Sequence, residues 1–113
     1  MSALDRVEIS RTVRAFLNEI RPTDPSKKVK LDYGFRFHGR SVELFDIRPR
    51  MLGKAGKIES ELAKATFVKS REIWKVYWMR GNGRWYPYEP STVRSLRAFL
   101  KLVREDERGC FFG

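Results

Sequence analysis

The stretch Val29-Lys30-Leu31-Asp32-Tyr33-Gly34-Phe35-Arg36-Phe37-His38-Gly39-Arg40-Ser41-Val42-Glu43-Leu44-Phe45 decides the fold. Val29, Leu31, Tyr33, Phe35 and Phe37 alternate with polar residues or glycine, the period of a half-buried strand. Gly39-Arg40 fits a two-residue turn with glycine first, the type II′ pattern. Counting outward sets Phe37 opposite Val42 and Phe35 opposite Leu44 on one face. The other face pairs Arg36 with Glu43, an ion pair, and Gly34 with Phe45, an aromatic ring covering a glycine.

The same arithmetic finds a second hairpin downstream. Ile73 to Arg80 leads into Gly81-Asn82-Gly83-Arg84, and Asn-Gly is the strongest short hairpin signal because a type I′ turn needs positive φ at both central residues. A two-residue turn sets Arg80 opposite Trp85, Met79 opposite Tyr86, Trp78 opposite Pro87 and Tyr77 opposite Tyr88. One face then carries Trp74, Val76, Trp78 and Trp85, and the other Tyr77, Met79, Tyr86 and Tyr88. Between the hairpins, residues 50–60 are read as a loop; Glu59 to Val68 favours a helix by propensity and a strand by the alternation of Ala63, Ala65 and Phe67, and 62–69 is taken as a strand.

A helix precedes this sheet and another follows it. Ile9, Val13, Phe16, Leu17 and Ile20 make one face of a helix over about residues 4–20. Asp5 and Glu8 are placed for an N-cap and its box partner, and Pro22 and Pro25 stop the helix. Ser91 is placed to cap a last helix over about residues 92–105, with Val93, Leu96, Phe99, Leu100, Leu102 and Val103 inward. Gly109 ends the segment, and Cys110-Phe111-Phe112 docks on the body. Helix, about five antiparallel strands in a meander, helix: this predicts a two-layer α+β fold, one domain over residues 1–113.

Length and composition agree. The chain has 113 residues, 42% of them hydrophobic, and can bury a core of its own. No apolar run approaches the roughly 18 residues of a membrane span, and the start lacks a signal-peptide pattern. The single Cys110 predicts a cytoplasmic protein without an internal disulfide.

The Trp74-Lys75-Val76-Tyr77-Trp78-Met79-Arg80 strand, Asn82-Gly83-Arg84-Trp85, Tyr88, Arg48-Pro49 and the closing Phe111-Phe112-Gly113 carry a resemblance. From about Arg11 onward the chain resembles the bacterial family called domain of unknown function 3024, whose members often have Trp where Phe112 stands. The resemblance implies a bacterial origin and one domain ending at Gly113. It implies no activity, cofactor or site residue.

Few enzyme chemistries fit these residues. Gly53-Lys54-Ala55-Gly56-Lys57 has the look of a phosphate loop, but Met51 and Ile58 stand where glycine and Ser or Thr are required. One histidine, His38, and one cysteine, Cys110, are too few for a zinc centre and make a poor catalytic dyad. Carboxylates such as Glu59 and Glu61 lie near each other with no other sign of a site. No catalytic, cofactor or metal residue is assigned.

Charge is the remaining pointer. The formal net charge is +10. Residues 1–25 are neutral, whereas residues 26–60 hold nine basic and four acidic side chains, half of the excess. Tyr33-Gly34-Phe35-Arg36-Phe37 fails the RNA-recognition strand motif at its basic and small positions. The apolar character of both hairpin faces points first to a protein-partner or self-association module, acting through Tyr77, Met79, Tyr86 and Tyr88. The alternative is non-specific nucleic-acid binding, with Arg48, Arg50, Lys54 and Lys57 on phosphates and Arg80 and Arg84 assisting. A small enzyme of unknown type is the second alternative.

Overall fold

The computed structural model describes residues 3–24, 31–49 and 56–112. Its elements are α1 (Ala3–Ile20), β1 (Asp32–His38), β2 (Ser41–Pro49), β3 (Lys57–Val68), β4 (Ile73–Met79), β5 (Trp85–Val93) and α2 (Leu96–Glu105). The strands form one antiparallel sheet in the order β1-β2-β3-β4-β5, the meander expected from two hairpins joined by a central strand.

The first hairpin has the register its sequence dictates. Phe35 lies opposite Leu44, Arg36 opposite Glu43 and Phe37 opposite Val42. Gly39 takes φ +60°, as its turn requires. An ideal Cβ on Gly34 would stand 2.7 Å from Cζ of Phe45, so the ring occupies the space a side chain would need. The ion pair differs from expectation. Arg36 lies over the Phe45 ring, 4.2 Å from its centroid, and reaches Glu59 on β3 at 2.7 Å instead of Glu43. Stacking on the ring carries the guanidinium diagonally across β2.

The second hairpin departs from the predicted register by one residue. Trp78 lies opposite Tyr86, Met79 opposite Trp85 and Tyr77 opposite Pro87. The turn is a three-residue loop. Gly83 N–H donates to Arg80 O at 2.9 Å and Arg80 N–H to Arg84 O at 3.0 Å, while Gly83 alone takes positive φ, +79°. This is a tight turn followed by a glycine bulge, which uses Asn-Gly one place out of phase with a type I′ turn. Asn82 Oδ1 accepts from Arg84 N–H at 3.1 Å and holds the loop. Because side chains alternate with period two, the slip turns β5 over. Tyr86 and Tyr88 join the Trp74–Val76–Trp78 face, and Trp85 joins Tyr77 and Met79.

β3 claims more chain than the sequence pattern offers it. It begins at Lys57, within the segment read as loop, because β2 extends to Pro49 and pairs with it there. A register shift at Leu44/Phe45 absorbs one residue. Residues 50–55 lie outside the described residues. β5 likewise runs to Val93, where Thr92 and Val93 pair with Lys75 and Trp74. The last helix therefore starts later than expected, capped by Ser95 rather than Ser91: Ser95 Oγ accepts from Ala98 N–H at 3.1 Å. It ends at Asp106, in the left-handed region at φ 42°, ahead of Gly109. At the other end, α1 begins at Ala3, so Asp5 sits inside the first turn instead of capping it. A carboxylate there still complements the helix dipole.

Both helices cover one sheet face. Ile9, Val13, Phe16 and Leu17 of α1 and Phe99, Leu100 and Val103 of α2 share a core cluster with Val42, Leu44, Ala63, Ala65, Trp74, Val76 and Tyr88. Arg104 of α2 pairs with Glu19 of α1. The terminal apolar tail docks as expected: Phe111 packs on Tyr88 at 4.7 Å and Phe112 meets Tyr33 edge-on at 6.0 Å. The Asp106 carboxylate accepts the N–H groups of Phe111 and Phe112 at 3.0 and 2.9 Å.

The register makes a direct prediction. Tyr88 is 4% exposed, whereas Tyr77 stands on the uncovered face. Tyr88→Ala is expected to lower unfolding free energy by about 3–5 kcal/mol, the cost of deleting a buried ring, and Tyr77→Ala by much less. Urea unfolding of both variants checks the order; equal losses would restore the two-residue turn.

Candidate interaction surfaces

An antiparallel meander gathers alternate turns at the same end of the sheet. The β2–β3 connection and the β4–β5 turn share one end. Arg48 and Lys57, flanking the first, therefore lie at the same end of the sheet as Arg80 and Arg84, flanking the second. The β2–β3 ribbon runs past β4, because Lys57–Glu61 pair with β2 alone. Five strand residues extend it by roughly 17 Å. Arg50 and Lys54, the other expected phosphate contacts, lie outside the described residues.

Arg48 is not wholly free. Its Nε lies 3.5 Å from Oδ2 of Asp46, a carboxylate on the helix-facing side that is 7% exposed. Asp46 Oδ1 is buried without a hydrogen-bond partner, a costly arrangement that the neighbouring guanidinium offsets in part. Across the strand, burial first and then the Asp46 charge push the Tyr33 phenol above its ordinary value of 10, against the opposing pull of Arg48.

Arg80 is placed by aromatic rings. Its guanidinium lies 5.2 Å from the Trp78 ring centroid and 4.5 Å from that of Tyr86, both half-buried. Among the described residues Arg80 makes no ion pair. Asn82, which closes the turn through Oδ1, donates from Nδ2 to the Tyr86 hydroxyl at 3.1 Å. Hydrogen bonds from Asn82 and then Arg80 hold the Tyr86 phenol below its ordinary value. The reverse side of the hairpin repeats the pattern: Lys64 Nζ sits 4.8 Å from the Tyr77 ring centroid and 5.0 Å from that of Trp85. Each side of the hairpin thus carries a cation shared between two rings.

The sheet face away from the helices carries Tyr77, Met79 and Trp85 at one corner. Arg36, Glu43, Phe45, Glu59, Glu61, Lys64 and Lys75 make up most of the remainder. Of the expected tyrosine face, Tyr77 and Met79 are present. Tyr86 and Tyr88 are on the opposite side, a correction that follows from the turn. The apolar patch is accordingly smaller than the sequence suggests, and its charges of both signs are interspersed.

At the far end of the sheet the turns gather Arg40, Lys69, Arg71 and Arg94. Sequence reasoning missed this group because its members belong to three separate turns; only the topology makes them neighbours. His38 is exposed at that end of β1, while Cys110 belongs to the tail that packs at Tyr33, the other end of the strand. The two never meet. Among the described residues no group of three His, Cys, Asp or Glu side chains could hold a metal ion. No helix among them is long and apolar enough to cross a membrane.

Architecture and surface define a small two-layer α+β domain with one open sheet face and an aromatic, cation-capped hairpin. The model of the family described as Domain of unknown function (DUF3024) matches residues 1–113, and the chain belongs to that family. Comparison with curated proteins and with solved structures gave no match.

Hydrogen bonding lowers the Tyr86 phenol while burial raises those of Tyr33 and Tyr88, so Tyr86 is expected to lose its proton before either of those two. In a spectrophotometric titration, Tyr86→Phe should remove a phenol transition that lies below the ordinary tyrosine value, and Asn82→Ala should move that transition upward. An unchanged curve in both variants would show that the hydroxyl is not held by the turn.

Proposed function

We propose that this domain binds nucleic acid without sequence specificity, through the sheet end formed by the β2–β3 ribbon and the β4–β5 turn. The observation that carries the reading is convergence: Arg48, Lys57, Arg80 and Arg84 come from two distant hairpins and are delivered to one end of the sheet. Cations spread along a projecting ribbon suit a phosphate backbone, which rewards charge without demanding a fixed motif. The net charge of +10 supports such contact by long-range attraction. On the single cysteine and the family resemblance, we place this activity in the bacterial cytoplasm.

Titration of mixed-sequence DNA and RNA at two salt concentrations tests the reading. Binding should be measurable at about 50 mM salt and fall steeply as salt rises. Removing a phosphate contact with Arg84→Ala should reduce the log–log salt slope by about 1. Absence of binding at the lower salt would overturn the proposal.

A second reading, self-association, is favoured by the uncovered Tyr77–Met79–Trp85 corner. The face around the rings carries both signs, with Arg36 paired to Glu59 and Glu43 opposite Lys64, so a second copy covering the rings meets no single-sign repulsion. Sedimentation of wild type against Tyr77→Glu checks it: a dimer that the substitution dissociates supports the reading, and a wild-type monomer at high concentration removes it.

A further inference from the structure

We infer that the β4–β5 hairpin is a stacking clip that selects single-stranded nucleic acid over duplex, an inference that rests on the nucleic-acid reading above. Trp78 and Tyr86 stand opposite each other across the two strands. The Arg80 guanidinium lies against both, 5.2 and 4.5 Å from their centroids. Seated over two rings and sharing a hydrogen bond with the Tyr86 hydroxyl, the exposed guanidinium keeps an outer face for a base and its remaining N–H groups for a phosphate. Contact with both rings restricts the side chain before any ligand arrives, which lowers the entropic cost of binding.

The platform is braced from within the hairpin. Asn82 fixes the turn by accepting from Arg84 N–H at 3.1 Å and fixes the Tyr86 ring by donating to its hydroxyl at 3.1 Å. Arg48 projects on the same, helix-facing side of the neighbouring ribbon and supplies a cation further along the track. On the reverse side, Lys64 between Tyr77 and Trp85 supplies a further cation without a planar face, so it adds charge and not base stacking. The two carboxylates nearest the end of α2 are engaged elsewhere: Glu105 lies 3.8 Å from Lys101, and Asp106 binds the tail amides.

This arrangement discriminates by what it can reach. Bases in a duplex are stacked and paired, so a duplex meets the clip with phosphates alone. An unpaired base offers its π face to the guanidinium and rings as well. Stacking of one base on an aromatic contact is worth about 5- to 150-fold in affinity, and it tolerates any base. An acidic peptide offers charge without flat faces and gains nothing from the rings.

The test is a fluorescence-anisotropy titration of a short labelled single strand and of the duplex of the same sequence, at two salt concentrations, with polyglutamate as competitor. Wild type should bind the single strand at least about tenfold more tightly than the duplex. Arg80→Lys keeps the charge and loses the flat guanidinium, so it should preserve the salt slope and abolish the single-strand preference. Tyr86→Leu should weaken the single strand by about tenfold and leave duplex binding unchanged. Circular dichroism of each variant confirms that the sheet is intact. Equal affinity of wild type for single strand and duplex overturns the clip while leaving phosphate binding standing, as does an unchanged preference in both variants. Equal competition by polyglutamate also overturns it. Failure of wild type to bind either nucleic acid at low salt removes the clip together with the reading beneath it.

Discussion

The structure depends on one constraint: a sheet of five strands must present small residues where the helices cross it. Ala63 and Ala65, both fully buried, occupy the centre of the helix-facing side on the central strand. Leu44 and Val42 flank them on β2, and Trp78 and Val76 on β4. Larger side chains at the two alanines would hold the helices away from the sheet, since interiors are packed to the density of organic crystals. Fully buried Phe99 and Val103 of α2, with Val13 of α1, share that same core. Everything distal to it, the docked tail included, inherits the position of the helix layer.

What lies outside that layer is governed by a different rule. Half-buried rings on both sides of the β4–β5 hairpin are each overlaid by a cation. Arg80 and Lys64 reduce the apolar area the rings expose and keep their own charge in water, as long basic side chains do. Arg36 treats Phe45 in the same way on the open face. The same contacts that make these rings compatible with solvent also pre-align cations for an anionic partner, so solubility and recognition draw on one interaction.

The contrast between the two hairpins shows where sequence reading succeeds. In the first, a glycine-first two-residue turn, strict alternation and a Gly34–Phe45 match all demand one register, and that register is observed. In the second, Asn82-Gly83 signals a turn without stating its length. Gly81, Asn82 and Gly83 satisfy either a two-residue or a three-residue loop, and apolar residues on both faces of β4 and β5 remove the alternation that would have chosen. Tyr86 and Tyr88 were therefore legible as aromatic strand residues but not as members of a face. The basic residues show the same division. Arg48, Lys57, Arg80 and Arg84 were legible as candidates one by one, while Arg40, Lys69, Arg71 and Arg94 were not, because isolated turn cations carry no local signature.

The sequence by itself determined the α+β class, the flanking helices, the inward stripe of α1 and the register of the first hairpin. Each of these follows from spacing along the chain: a period of two, a period near 3.6, or a turn of known length. Only the tertiary structure decided the second register, the reach of β3 to Lys57 and of β5 to Val93, the diagonal Arg36–Glu59 pair and the gathering of distant cations at the sheet ends. These depend on partners far away in sequence. Strand ends persist where a neighbouring strand supplies hydrogen bonds, and a side chain on a strand belongs to whichever face its pairing assigns.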